Sequence, residues 1–416
     1  MILETTRRRT LPPQAAYALV GAVIGLALFA SATPSPLYEI YRDLWGFSQI
    51  VLTLVYAIYA FGVLAALLLA GRVSDEVGRR PVLLVALGTL LGTSVLFMLA
   101  DSVAWLFVAR GLQGLATGLA LGAASAALLD LHPRRDGDGV GLTNGVASAG
   151  GIGLGVLVSA TLVQLLPAPR VLPYVLLFVL FGVAFVGALL MPEPVATRSR
   201  LRLTPQRPRV PAGVRRPFFL AALAVLSSWS IAGLFLSLGP QLSATIFETD
   251  NRLVTGLNIF VLAASGALAQ FAFGRRPAWA GASGGSVALA VGTVILVAAA
   301  SADSAVLLLI GSVIGGAGFG VAFLGALRAL SAAIPADHRA SVMSAFYVVA
   351  YLSLSIPAVL AGIGVTPLGL ESTFEILGSV AAALALVVAV EAWRTRPRAV
   401  VAYHGDGRRA AASPSQ

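Results

Sequence analysis

Cysteine and lysine are both missing from this chain, and histidine occurs only three times. Without cysteine there is no disulfide framework and no thiolate metal site. Without lysine there is no G-x-x-x-x-G-K phosphate loop, which excludes an ATP-driven motor of that type. His132, His338 and His404 fall in short loops or the tail, so no zinc site is expected from them. Charge is scarce too. Only 11% of the 416 residues are charged, against roughly a quarter in a soluble domain. No aspartate or glutamate falls near the middle of an apolar segment; Glu39, Glu375 and Glu391 sit near segment ends.

What is present in abundance is apolar sequence, 58% of the residues, with a mean hydropathy of +0.90. About 20 such residues span a bilayer. Twelve segments of that kind are expected near 15–36, 48–70, 81–100, 103–129, 140–166, 171–191, 218–240, 253–273, 279–300, 304–330, 341–363 and 372–392. The expected class is an all-α, multi-pass membrane protein. Arg7-Arg8-Arg9 before an apolar run mimics a secretory signal, but the run is long and eleven like it follow, so it reads as the first membrane helix.

The net charge of +10 would suggest nucleic acid in a soluble chain; here topology accounts for it. With the N-terminus in the cytoplasm, 23 of the 28 arginines fall on the cytoplasmic side. Three, Arg42, Arg170 and Arg252, fall outside, while Arg110 and Arg328 lie within segments. This asymmetry is the positive-inside pattern, and it puts both termini in the cytoplasm. The lipid bilayer, not nucleic acid, is the expected partner.

The proline- and arginine-rich interval 192–217 reads as a linker. It separates a first bundle, 1–191, from a second, 218–392, leaving a disordered basic tail at 393–416. The two halves echo each other. Gly71…Arg79-Arg80-Pro81 follows the second segment of one half, and Gly274-Arg275-Arg276-Pro277 the second segment of the other. Segments four and ten are glycine-rich, and Pro34, Pro36 and Pro240 end the first segment of each half. A duplicated six-helix unit around a central site is carrier architecture.

Gly71-x-x-x-Asp75-x-x-Gly78-Arg79-Arg80 resembles the loop 2–3 signature of the major facilitator superfamily. Arg110-x-x-Gln113-Gly114-x-x-x-Gly118 is similar to its helix-four signature. The resemblance covers roughly residues 15–392 and implies two pseudo-symmetric six-helix bundles. It implies that Asp75 contacts the opposite half in the outward-open state, that the loop arginines are tied to Asp130, and that Arg110 lies in a coupling or gating region. There are departures. Glu76 stands where the family usually has a basic residue, Val156 where a helix-five proline is expected, and the second-half turn lacks the aspartate.

From these residues a conformational latch is expected at Gly71, Asp75, Gly78, Arg79, Arg80 and Asp130. Coupling or gating is assigned to Arg110, Gln113 and Glu39. For Arg110 the alternative is a side chain snorkelling to the interface, for Gln113 interhelical glue, and for Glu39 a solvated interface residue. A substrate cavity is expected from Phe29, Thr33, Tyr56, Tyr59, Trp229, Asn258, Gln270, Phe319, Phe323, Tyr347 and Tyr351, residues for which lipid or core packing is the alternative. The glycine rows of segments four and five follow the small-xxx-small packing pattern.

The function expected is proton-coupled alternating-access transport of a small organic molecule across the cytoplasmic membrane, with efflux by antiport favoured. It would be carried out by a monomer with no cofactor, no metal and no enzymatic activity. An importer of sugars or metabolites is the alternative, and a transport-inactive membrane sensor is the alternative from another class.

Overall fold

A computed structural model of the chain describes residues 10–71, 73–133, 137–195, 208–335 and 338–396. Arg7–Arg9, His404, linker residues 196–207 and the tail from 397 lie outside the described residues. Among the described residues, twelve spans are long and apolar enough to cross a membrane. The described residues form fourteen α-helices: α1 (Pro13–Ala32), α2 (Tyr38–Trp45), α3 (Gln49–Ala70), α4 (Val73–Val77), α5 (Arg79–Met98), α6 (Val103–Leu131), α7 (Gly137–Leu165), α8 (Leu172–Leu190), α9 (Arg215–Ile246), α10 (Arg252–Phe273), α11 (Ala278–Ser301), α12 (Ala305–Ala333), α13 (Arg339–Leu368) and α14 (Leu370–Arg394), with the short α4 lying between two spans. The spans match the twelve apolar segments to within a few residues at most ends.

Helix pairing repeats along the chain. α1 packs on α7, α3 on α6, and α5 on both α6 and α8; α9 on α13, α10 on α12, and α11 on both α12 and α14 repeat these partnerships. Across the halves, α13 lies against α3 and α10 against α7. Close crossings depend on missing side chains. Gly114 and Gly118 of α6 face the backbone of Tyr59, Gly62 and Val63, as Gly316 and Gly320 of α12 face Leu262 and Gly266. Gly151 and Gly155 of α7 lie on the backbone of Gly25 and Phe29. A Cβ at these positions would enter a neighbouring main chain, so packing is what these glycines do.

Two proline expectations need correction. α1 stops at Ala32, but after a 3-10 turn, Ser35–Leu37, the chain re-forms α2, which carries Glu39. α9 runs straight through Pro240 to Ile246. A proline inside a helix frees the carbonyl four residues earlier, and that carbonyl, Leu236, accepts from the Ser35 hydroxyl of the first half at 3.2 Å. Pro240 therefore does not end the helix, because its unpaired carbonyl finds a partner across the interface. α9 also starts at Arg215, so the last residues of the expected linker form its first turn.

Candidate functional site

The bundle has two ends, named here for Arg79 and Asp101. At the Arg79 end α3 closes at Ala70 and the chain turns through α4 into α5. Gly78 makes this turn with φ +107, a conformation open to glycine. The first N–H groups of α5 have no helical acceptor. The Glu193 carboxylate supplies one, accepting from Arg79 N at 2.9 Å and from Arg80 N at 3.1 Å. Negative charge at a helix N-terminus is stabilised by the helix dipole, by about 0.3–1 kcal/mol when exposed.

The arginines following Gly78 then diverge. The Arg79 guanidinium pairs with Asp75, donates to Ser74 Oγ at 2.8 Å, and reaches Asp130 Oδ2 from Nε at 3.0 Å. Arg80 turns away from Asp130 and donates to the carbonyls of Ala188, at 3.1 Å, and Leu189. Of the six expected latch residues, Asp75, Arg79 and Asp130 thus form one ion cluster within the first half. Gly78 shapes its turn, Gly71 lies exposed at the end of α3, and Arg80 holds α8. In the second half the charge is reversed: Arg328 of α12 donates to the carbonyls of Gly274 and of Arg276, the latter at 3.1 Å. An arginine takes the place of the missing turn aspartate by serving the turn's backbone.

Arg110 does not snorkel. It is 1% exposed, in the interior between α6, α1 and α3. One terminal nitrogen, Nη1, donates to Ser31 O at 2.9 Å and to Gln113 Oε1 at 2.7 Å, while Gln113 Nε2 donates to Ala30 O at 3.0 Å. The guanidinium carbon lies 4.4 Å from the Tyr59 ring centroid and 6.0 Å from that of Tyr56. Pro34 has no N–H to give the carbonyl of Ala30, four residues before it, so the last turn of α1 ends in orphan acceptors. Arg110 and Gln113 cap that end, and a cation there faces the negative pole of the helix. Ser159 Oγ of α7 caps Thr33 O in the same cluster at 2.6 Å. Gln113 is thus both interhelical glue and the partner of Arg110.

The expected cavity set does not come together at one place. Trp229, Phe323, Tyr347 and Tyr351 form one aromatic cluster together with Phe346. Ring centroids are 5.6 Å apart for Trp229–Phe323, 5.4 Å for Trp229–Tyr351 and 6.0 Å for Phe346–Tyr347. Tyr351 shares a continuous core with Tyr56 and Tyr59, which joins this cluster to the Arg110 neighbourhood. Asn258 lies elsewhere, buried in the second half between Ser243 Oγ at 3.1 Å and Ser312 Oγ at 2.9 Å. Gln270 lies near the Arg79 end, against Gly145 and in a small cleft with Arg276 and Arg328. Phe29 and Thr33 belong to the α1–α7 crossing, and Phe319 packs on Gly266. The charged groups around Glu39 are Arg42 and Asp43 from its own half and Asp250 and Arg252 from the other.

Sequence reasoning missed Glu193, Ser35 and the role of Arg328. Glu193 had a signal: an acid between two prolines just after the sixth span, beside a basic turn. Ser35 had none, because its acceptor is a backbone carbonyl 201 residues away.

Comparison with known proteins matches residues 20–276 to the family model described as Major Facilitator Superfamily. The chain belongs to this superfamily. It is therefore a multi-pass membrane protein of a transporter family. Multidrug resistance protein MdtL from Escherichia coli O157:H7 is 36% identical over 100 residues, 24% of this chain and 26% of that protein. MdtL from Escherichia coli O45:K1 (strain S88 / ExPEC) matches to the same extent. The chain thus aligns with about a quarter of the length of these curated relatives. Among solved structures, the human organic anion transporter MFSD10 (TETRAN) superposes with a TM-score of 0.67 at 17% identity, covering 92% of this chain and all of the other. That likeness is one of fold.

Proposed function

We propose that this chain is a secondary transporter that exports a small organic molecule across the cytoplasmic membrane by proton antiport and alternating access. The bundles 1–191 and 218–392 rock against each other, joined by the linker 192–217. The arginine distribution supports a cytoplasmic Arg79 end and an external Asp101 end. Partial similarity to MdtL, a multidrug resistance protein, supports export.

The observation carrying this reading is where the halves meet. At the Asp101 end, Ser35 bonds to Leu236 O, Thr53 packs on Gly362, and Gln164 Oε1 accepts from Arg252 N at 2.9 Å. At the Arg79 end, Asp75 is spent on Arg79 of its own half. This arrangement supports reading the structure as a state closed outside, with the latch aspartate disengaged from the second half. α7 and α10 stay together from Arg252 to Gln270 and serve as a seam about which the halves turn. Proton coupling is assigned to Arg110 and to Glu39, whose charged surroundings come from both halves and change as the Asp101 end opens.

The test is flux of a compound panel in inverted and right-side-out vesicles, with and without a protonophore. Saturable flux that collapses with the proton gradient is expected. Unsaturable flux indifferent to the gradient contradicts the proposal, as does binding without flux.

A further inference from the structure

Resting on the transport reading, we infer that the substrate is an aromatic organic anion, recognised between Arg110 of the first half and Trp229 of the second. The argument begins with donors that have no acceptor. Arg110 Nε and Trp229 Nε1 are both buried and make no hydrogen bond in the structure. Each belongs to a side chain that donates only. A buried donor without an acceptor is costly, and at a transport site the missing acceptor is supplied by the ligand.

Charge points the same way. Arg110 is the buried ionised side chain of this region, and its partners Ser31 O, Gln113 Oε1 and the tyrosine rings are all neutral. Carbonyls and a helix terminus offset only part of a full positive charge. A cation entering here would meet Arg110 without a carboxylate to balance it; a carboxylate or sulfonate would meet its counter-charge in a low-dielectric setting.

The side chains lying between the two donors are aromatic. From Arg110 the path runs over the Tyr59 ring at 4.4 Å, through the shared core of Tyr56, Tyr59 and Tyr351, to Trp229, whose ring lies 5.4 Å from Tyr351 and 5.6 Å from Phe323. Flat apolar bodies stack on such surfaces. One end of the ligand is thus acidic and the rest is aromatic.

The test compares 2-naphthoate with its cationic counterpart 2-naphthylmethylammonium on the purified full-length chain. Binding is read by calorimetry and flux in proteoliposomes. Naphthoate is expected to bind at least about tenfold more tightly than the ammonium compound, the range of one charge-assisted hydrogen bond. Trp229→Phe keeps an aromatic ring, though a smaller one, and removes the donor, and should weaken naphthoate about threefold to tenfold. Arg110→Gln should erase the anion preference, while Arg110→Lys, which retains the charge, should keep the anion favoured. Because Arg110 also caps α1, the wild-type pair and Trp229→Phe decide the matter if Arg110→Gln fails to fold. Equal or tighter binding of the ammonium compound overturns the inference, as does failure of both compounds to bind. Gradient-dependent flux of the ammonium compound alone would refute the anion and keep the transporter. Naphthoate binding with no flux would refute the transporter and keep the anion site.

Discussion

Arg110 brings a full charge to a place where water does not reach, and its neighbours are arranged around that fact. Pro34 after α1 leaves the Ala30 carbonyl without its helical donor, and Gln113 with Arg110 serves the carbonyls of Ala30 and Ser31 at that helix end. The charge and the broken helix stabilise each other. Replacing Gln113 with Leu, close in size but without hydrogen bonds, leaves Ala30 O and one Arg110 bond unsatisfied. We expect a loss of about 1–3 kcal/mol, seen as a lower thermal unfolding midpoint in detergent. An unchanged midpoint would mean the cap contributes nothing. Glu193 plays the corresponding role at the start of α5. Glu193→Ala should cost about 1 kcal/mol, and a wild-type midpoint in this variant would remove Glu193 from the account of that turn.

At the scale of helices, what matters is how closely two backbones approach. α6 crosses α3, and α12 crosses α10, through glycine at equivalent places in the two halves. A methyl group at Gly114 or Gly316 would enter the carbonyls of Tyr59 or Leu262. Gly114→Ala and Gly316→Ala should each destabilise the fold by about 1–3 kcal/mol, whereas Gly182→Ala, with open space beside it, should not. Fluorescence-detected size exclusion after a heat step separates these outcomes.

Much of this scale was legible in the sequence. Apolar length marked the spans and small-residue spacing marked the crossings. Pro240 was misread because proline removes a bond within its own helix, whereas the group that compensates, Ser35, comes from the opposite half. The cavity set was dispersed for a related reason. Helical spacing places Asn258 and Gln270 on apolar helices but says nothing of depth, and depth puts one among serines and the other near the Arg79 end. The ion cluster was legible because Asp75 and Arg79 are four residues apart, a local spacing, and the acid at Asp130 came from the family resemblance.

For the whole molecule, the halves are held together at the Asp101 end by few polar contacts. Ser35→Ala deletes one of them, worth about 0.5–1.5 kcal/mol, and should shift the population toward states open at that end by about twofold to tenfold. Asp75→Asn should cut gradient-driven flux while membrane insertion stays normal; undiminished flux would remove the latch from the mechanism. The chain has no cysteine, so engineered pairs can be spin-labelled without background. Leu44 and Leu368 flank the Asp101 end, and Leu69 and Phe273 the Arg79 end; all four are exposed. The most direct measurement is the distance between the labels of each pair in lipid vesicles as substrate and proton gradient are varied. Alternating access predicts opposite changes, one end lengthening as the other shortens. Distances that stay fixed, or that lengthen together at both ends, would contradict it.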